Sequence, residues 1–293
     1  MKAWLNAFPE IQPLGDPERP DGWVWPVHMG GMLGWKGSRA LVTPPWSLDI
    51  DAPNAQRIVE HMAACKVPIQ ILDLPAGVTL PAGFKLGSVC AHPRHTRQIK
   101  IEGYALPKKR AQQVRRALRD GVTVEAARDV LAHIELHQAA RQRKGIASDA
   151  QGLRTLMTTL LKDAQNLAYI AFHNERPIAS AIVVRSETPL GRTALYALGG
   201  QDRAGDKDDK GDKGTTARAS VAVLAQAIED ARANGDQIFD FGGSSDPGVD
   251  RFYAEFGAHI VPKLRLVKTA GWIRPILALK RPDLAFPKPV PSS

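Results

Sequence analysis

"FDFGGSSDPGVDRFYAEFG", Phe239 to Gly257, sets a short apolar run against an abrupt corner and then a helical period. The run Phe239–Phe241 reads as the end of a strand. Gly242 and Gly243 stop it where the backbone must turn or be closely approached. Asp246 is suited to cap a helix and Pro247 to its first turn, where no amide donor is needed. Val249, Phe252 and Phe256 recur at helical spacing and are expected to face a sheet. Gly257 can take the left-handed conformation that ends the helix. Tyr253 follows Val249 by one turn, at the border of that apolar stripe.

Working outward, "HIVPKLRLVK" reads as a strand after this helix, with Pro262 pointing to an edge or a bulge. Upstream, a long helix is expected from Thr216 to Asn234. Three strands precede it, "LAYIAFHN", "PIASAIVVRSE" and "TALYALGG", the first two joined by a tight turn at "NERP". Before these come helices near residues 129–143 and 149–163 and the strand "VTVEAA". Pro107 opens an amphipathic helix with Ala111, Val114 and Leu118 on one side, and Gly121 ends it. The N-terminal part carries five of the six tryptophans within its first 46 residues. "WVWPVHM", "SRALVTPPW", "PIQILDL", "FKLGSVCAH" and "RQIKIEGYAL" read as strands there, with a turn at "GGMLGWKG" and a helix near 53–65. The pattern divides the chain into an α+β lobe (1–106), a second α+β lobe (107–270) and a Pro-rich basic tail (271–293). The tail, and the charged, glycine-rich segment 201–214, lack apolar periodicity. The segment is expected to be a flexible loop, and the tail to drape over the surface or stay disordered.

The 293 residues are 44% hydrophobic and 24% charged, which is ordinary for a globular protein. The first residues lack the apolar core of a secretory signal, and no segment approaches the roughly 20 apolar residues that cross a bilayer. Cys65 and Cys90 can build neither a disulfide framework nor a zinc site, so a reducing cytosol is expected. The net charge is +9. Its densest part is "LPKKRAQQVRRALRDG", with further basic residues in "HPRHTRQIK" and "RQRKG". Such a field suits phosphates: a nucleotide cofactor, a nucleotide-linked substrate, RNA or an anionic membrane surface. A solvated helix face accounts for it equally well.

The order of the second half, strand, helix, helix, three strands, helix, strand, helix, strand, resembles the GNAT acyltransferase fold. "DFGGS…GVDRFYAEFGA" is similar to the closing motif of FemAB-like proteins, a branch of that superfamily built from two related lobes. "LPKKRAQQVRRALRDGVTVEAA" and, more loosely, "VTPPW" extend the likeness over roughly residues 22–268. The resemblance implies an α+β fold with a mixed central sheet, flanking helices and two GNAT-related lobes. It implies transfer of an acyl group from a thioester, acyl-CoA, to an amine acceptor. That acceptor would lie between the lobes and would be a sugar-linked or bacterial cell-envelope precursor. In many GNAT enzymes a tyrosine four residues before this glycine protonates the departing thiolate, and Tyr253 matches it. A phenol suits that role by acidity. The other reading makes Tyr253 a core aromatic. The tRNA-dependent branch members carry a lysine after the motif's phenylalanine, where this chain has Tyr253. Aminoacyl transfer from tRNA is therefore the second reading, and a non-enzymatic phosphate- or RNA-binding protein on a degenerate scaffold the third.

The glycine pattern of the GNAT pyrophosphate loop is replaced by "GGQDRAGDKDDKGDKGTTARA". Gly199, Gly200, Thr215 and Thr216 can still offer backbone amides to a phosphate, and Arg218 charge. Thr215 or Thr216 as a simple helix cap is the alternative. Asp240, Glu187 and His173 are candidates to take the acceptor's proton, with Asp240 foremost. Asp240 equally fits a structural role, hydrogen-bonding backbone amides at the strand end. Arg251, Ser244 and Trp35 are candidate substrate contacts, Arg251 as an anion anchor unless it is a surface cation. No metal is expected. "HIELH" places His133 and His137 four apart, but its glutamate is misplaced for a zinc protease. Cys90, His92 and His95 lack a fourth ligand nearby. "DKDDKGDKG" has Lys210 where a calcium loop needs an oxygen. GxGxxG, GKS/T and GxSxG are absent.

Overall fold

The computed structural model describes residues 12–15, 20–28, 39–43, 60, 62–64, 67–78, 89–145, 150–202, 214–243 and 246–280. Trp35, Cys65 and Ser244, most of the 201–214 segment and the tail beyond residue 280 lie outside them. The chain forms two compact units: residues 1–96, 188–190 and 261–293, and residues 97–187 and 191–260.

The first unit carries β1 (Gln12–Gly15), β2 (Pro20–His28), β3 (Arg39–Thr43) and β4 (Ile69–Asp73). It shares β5 (Val89–Lys100) and the last strand, His259–Thr269, with the second unit. β1, β2 and β3 pair antiparallel in turn, and β3 runs parallel to β4. β4 pairs antiparallel with the His259–Thr269 strand from Arg265↔Asp73 to Thr269↔Ile69. That strand lies between β4 and β5 rather than at an edge, and its pairing with β4 begins three residues after Pro262. The two strands expected at 84–92 and 97–106 are one: β5 runs unbroken from Val89 through "HPRHTR" to Lys100. The start of the tail is also ordered. Gly271–Ile273 form a 3-10 turn and Arg274–Lys280 a helix. Ile273 and Leu277 pack against Ile69, Ile71 and Val267. Apolar side chains that can reach a core offset the entropy of ordering them, despite Pro275.

The second unit opens with α1 (Lys108–Arg119), followed by β6 (Thr123–Ala126), α2 (Val130–Arg143) and α3 (Ala150–Lys162). Next come β7 (Leu167–His173), β8 (Arg176–Thr188), β9 (Gly191–Gln201) and α4 (Thr215–Ala233). β10 (Ile238–Asp240), α5 (Pro247–Ala254) and β11, the His259–Thr269 strand, complete it. The strands lie in the order β5-β10-β9-β8-β7-β6. β10 runs antiparallel to β5 and parallel to β9, so the sheet is mixed. Asn174 (φ 50°) and Glu175 (φ 62°) form the two-residue β7–β8 turn, whose positive φ values match strand twist.

Register assigns the faces. Tyr169, Ala171, Ala179, Ala181, Ala194 and Phe239 point to one side and join a core with Ala117 of α1, Ala219 to Ala231 of α4, and Tyr253 of α5 with the following Phe256. Ala168, Ile170 and Ile182 alternate with them on the other side. α2 and α3 bury Ile134, Leu136, Met157, Leu160 and Leu161, none of which belongs to the first core. They cover that second face.

α1 departs from its expected amphipathicity. Ala111 and Val114 are half-buried and Leu118 is 55% exposed, while Arg110 is buried. The Arg110 guanidinium lies 4.5 Å over the Phe252 ring and 4.8 Å over Phe256. It donates to Phe252 O and Gln113 Oε1, both at 2.8 Å. Its Nε has no partner among the described residues, but two aromatic faces, two acceptors and Glu255 at 3.4 Å from Nη2 let the cation be buried where a bare charge cannot.

Candidate active site

The ladder between β9 and β10 is short. It runs from Ile238↔Thr193 to Asp240↔Leu195 and ends, while β9 continues through Tyr196 to Gln201. Gly242 (φ 77°) and Gly243 (φ 72°) turn the chain away, in a left-handed conformation that favours glycine. A gap therefore opens between two parallel strands, with main-chain groups along its β9 side.

β9 itself is irregular. Gln237 N donates to Arg192 O on the β10 side, whereas Asp202 N donates to Ile178 O of β8. On a regular strand residues an even number apart face one edge, so one residue is inserted between them. A Cβ on Gly199 would overlap Tyr196 Oη, which puts residues three apart on one face and locates the insertion between them. The Gly199 carbonyl thus points toward the gap. A Cβ on Gly200 would instead overlap the backbone of Leu136 and His137, so α2 sits directly on this glycine. His137 Nδ1 lies 2.9 Å from Gly199 O.

α5 borders the gap from the other face. Asp246 Oδ1 accepts from Gly248 N (2.9 Å) and Val249 N (3.3 Å), with Pro247 in the first turn. Gly257 (φ 79°) ends the helix. Phe256 is fully buried, and Val249 and Phe252 pack partly buried against the same core. Tyr253, expected at the stripe's border, is only 8% exposed. Its ring stacks on Phe241 at 4.9 Å and meets Tyr196 edge-on at 6.2 Å. Among the described residues its hydroxyl has no hydrogen-bond partner. Burial first, then Tyr196 and Asp246, raise the Tyr253 pKa far above a free phenol's, and burial pushes Tyr196 up to about 12. Both phenols stay protonated at neutral pH and can donate.

The other expected site residues divide. Asp240 is buried; Gln98 Nε2 donates to its Oδ2 and Gly242 N to its Oδ1, both at 2.7 Å, so its carboxylate holds the corner. Arg251 is 80% exposed and pairs with Glu255 at 3.5 Å. Glu187 is exposed and His173 half-buried. Arg218 is buried, 3.1 Å from Asp120 Oδ2, and donates to Thr215 Oγ1. Thr216 Oγ1 donates to Asp202 O. Neither threonine caps α4, whose cap residue is Gly214. Sequence reasoning missed two features: the contact of α2 with Gly199–Gly200, and the ion pair of Lys144 Nζ with Asp246 Oδ2 (2.6 Å), which joins the end of α2 to the start of α5. The adjacent glycines were the available signal for the first.

Residues 108–253 match the family model described as an acetyltransferase (GNAT) domain. A search of curated proteins found no match. Among solved structures, the C-terminal domain of a candidate lysylphosphatidylglycerol synthetase from Agrobacterium fabrum aligns with a TM-score of 0.59 at 12% identity, over 99% of this chain and 93% of that one. FemX aligns with a TM-score of 0.54 at 12% identity, over 92% and 89%. L-PGS from Bacillus licheniformis aligns at 0.53 and 13%, over 91% and 86%. Residues 108–253 are a GNAT acyltransferase-family domain. Over nearly its whole length the chain shares the fold of these three solved structures.

Proposed function

We propose that the chain is an N-acyltransferase that moves an acyl group from acyl-CoA to an amine on a sugar-linked or cell-envelope precursor. The observation that carries this is the gap between β9 and β10, lined by main chain on one side and bordered by the Tyr253 phenol. A thioester lying along β9 would find amides and carbonyls to pair with. Its sulfur, brought near α5, would meet a neutral phenol able to protonate the leaving thiolate. Gly199, Gly200, Thr215 and Thr216 remain the main-chain candidates for the donor, with Arg218 supporting the start of α4 through Asp120. Arg251, Ser244 and Trp35 remain candidate acceptor contacts.

Aminoacyl transfer from charged tRNA is the second reading. It is favoured by the solvent-facing residues Lys108, Lys109, Arg115, Arg116 and Arg119 of α1, and by neighbours named FemX and lysylphosphatidylglycerol synthetase. Melting curves with an acyl-CoA panel and with charged tRNA separate the two, because a ligand of the native state raises its melting temperature. A shift with acyl-CoA supports the first reading. No shift at millimolar acyl-CoA, together with salt-sensitive tRNA binding, moves the assignment to the second.

A further inference from the structure

The proposed reaction needs a group that takes a proton from the acceptor nitrogen, and the carboxylate foremost in sequence is a poor one. Asp240 is buried with both oxygens engaged. His133 is buried too, its Nε2 committed to Ala127 O at 3.0 Å. Ser180 on β8 carries a buried hydroxyl without a partner among the described residues, but a serine hydroxyl alone is no base at neutral pH.

We infer that His137 is the general base for the acceptor amine. The Gly199 carbonyl can only accept a hydrogen bond, so Nδ1 carries the proton and Nε2 the lone pair. Nε2 has no hydrogen-bond partner among the described residues, and His137 is half-buried rather than enclosed. α2 holds the ring in place: its backbone rests on Gly200, and the carbonyl that fixes the tautomer points toward the gap. His137 thus stands beside the gap that Tyr253 borders from the opposite face of the sheet. Burial lowers the imidazole pKa, the bond to Gly199 O opposes it in part, and Arg141, one turn along α2, adds to the lowering, so the net shift is downward and favours the free base at neutral pH.

This assignment rests on the acyltransfer reading, and its chemistry balances. The acceptor ammonium loses a first proton to become the attacking amine. Nitrogen bonds to the thioester carbonyl carbon, and Nε2 takes the second proton from nitrogen. The C–S bond breaks as the carbonyl re-forms, and sulfur leaves with the electron pair and takes a proton from Tyr253. Of the two protons lost by nitrogen, one is recovered by Tyr253, so that the net products are amide, thiol and one proton in solvent.

His137→Asn tests it, because asparagine can still donate to Gly199 O from near the Nδ1 position but has nothing at Nε2. The probes are acetyl-CoA and a panel of primary amines that includes glucosamine, with thiol release as readout. The expected result is a fall in kcat of roughly 100-fold or more, with KM for acetyl-CoA changed little. The part of the acid limb set by the imidazole should vanish from the variant, leaving only the part set by the acceptor ammonium. A variant with wild-type kcat and the same acid limb overturns the base assignment and leaves the acyltransfer reading standing. A wild-type chain that moves acetyl to none of the amines counts against acyl-CoA transfer itself. Nitrogen NMR of His137 is independent of donor: a neutral ring protonated on Nδ1 at pH 7 supports the assignment, and one protonated on Nε2, or charged, overturns it.

Discussion

At the residue scale, two side chains and two glycines define the candidate chemistry. Tyr253→Phe removes one hydroxyl and almost no volume from a packed aromatic cluster. If that hydroxyl is the acid, turnover should fall by about 100-fold, while the melting temperature stays within the range of small surface changes. Steady-state kinetics beside a thermal melt check both; full activity in the variant would reduce Tyr253 to a packing residue. Its pKa is raised beyond the usual phenol range, so Tyr253 should contribute no alkaline limb to the rate profile near pH 10. Gly200→Ala is the opposite kind of change. The new Cβ would overlap the backbone of Leu136 and His137, and backbone yields less readily than a flexible side chain. Overpacking of this sort costs about 1–3 kcal/mol, measurable by urea unfolding, and should also displace His137 from Gly199.

At the scale of elements, α1 and α5 share one packing problem. Arg110→Ala deletes the cation from the Phe252 and Phe256 faces and leaves Phe252 O without its guanidinium donor, a loss of about 2–3 kcal/mol in urea unfolding. Arg110→Met keeps apolar bulk over the rings and should lose much less. The Lys144–Asp246 pair ties α2 to α5 and has a pH signature. Lys144 first, then the cap amides of Val249 and Gly248, hold the Asp246 pKa below the usual carboxylate value. Stability from this group is therefore present above the ordinary aspartate range and lost as pH falls through the lowered folded value. Thermal melts of wild type and Asp246→Asn should differ at pH 7 and converge in strong acid. The Asp246 cap, Pro247, Gly121 and Gly257 were legible in sequence because each obeys a rule confined to its own helix. The burial of Arg110 was not, because it depends on rings more than a hundred residues away. The seat of α2 on Gly200 was not either, since nothing local says which helix covers a glycine. The ordered start of the tail was masked by Pro275, although Ile273 and Leu277 carry the spacing of a packed turn.

At the scale of the molecule, the described residues around the gap all fall within the unit formed by residues 97–187 and 191–260. Among the described residues no helix is long and apolar enough to cross a membrane, and no cluster of His, Cys, Asp and Glu could hold a metal ion. The proposed chemistry rests on main chain, phenol and imidazole. That chemistry requires the thioester to lie along β9 where β10 leaves it. Hydrogen–deuterium exchange with and without acetyl-CoA reads out that placement. Peptides covering Tyr196–Gln201 and the Gly242–Gly243 corner should gain protection when acetyl-CoA is added, while β1 to β4 do not change. Binding without protection at β9, or protection confined to another part of the chain, would contradict it.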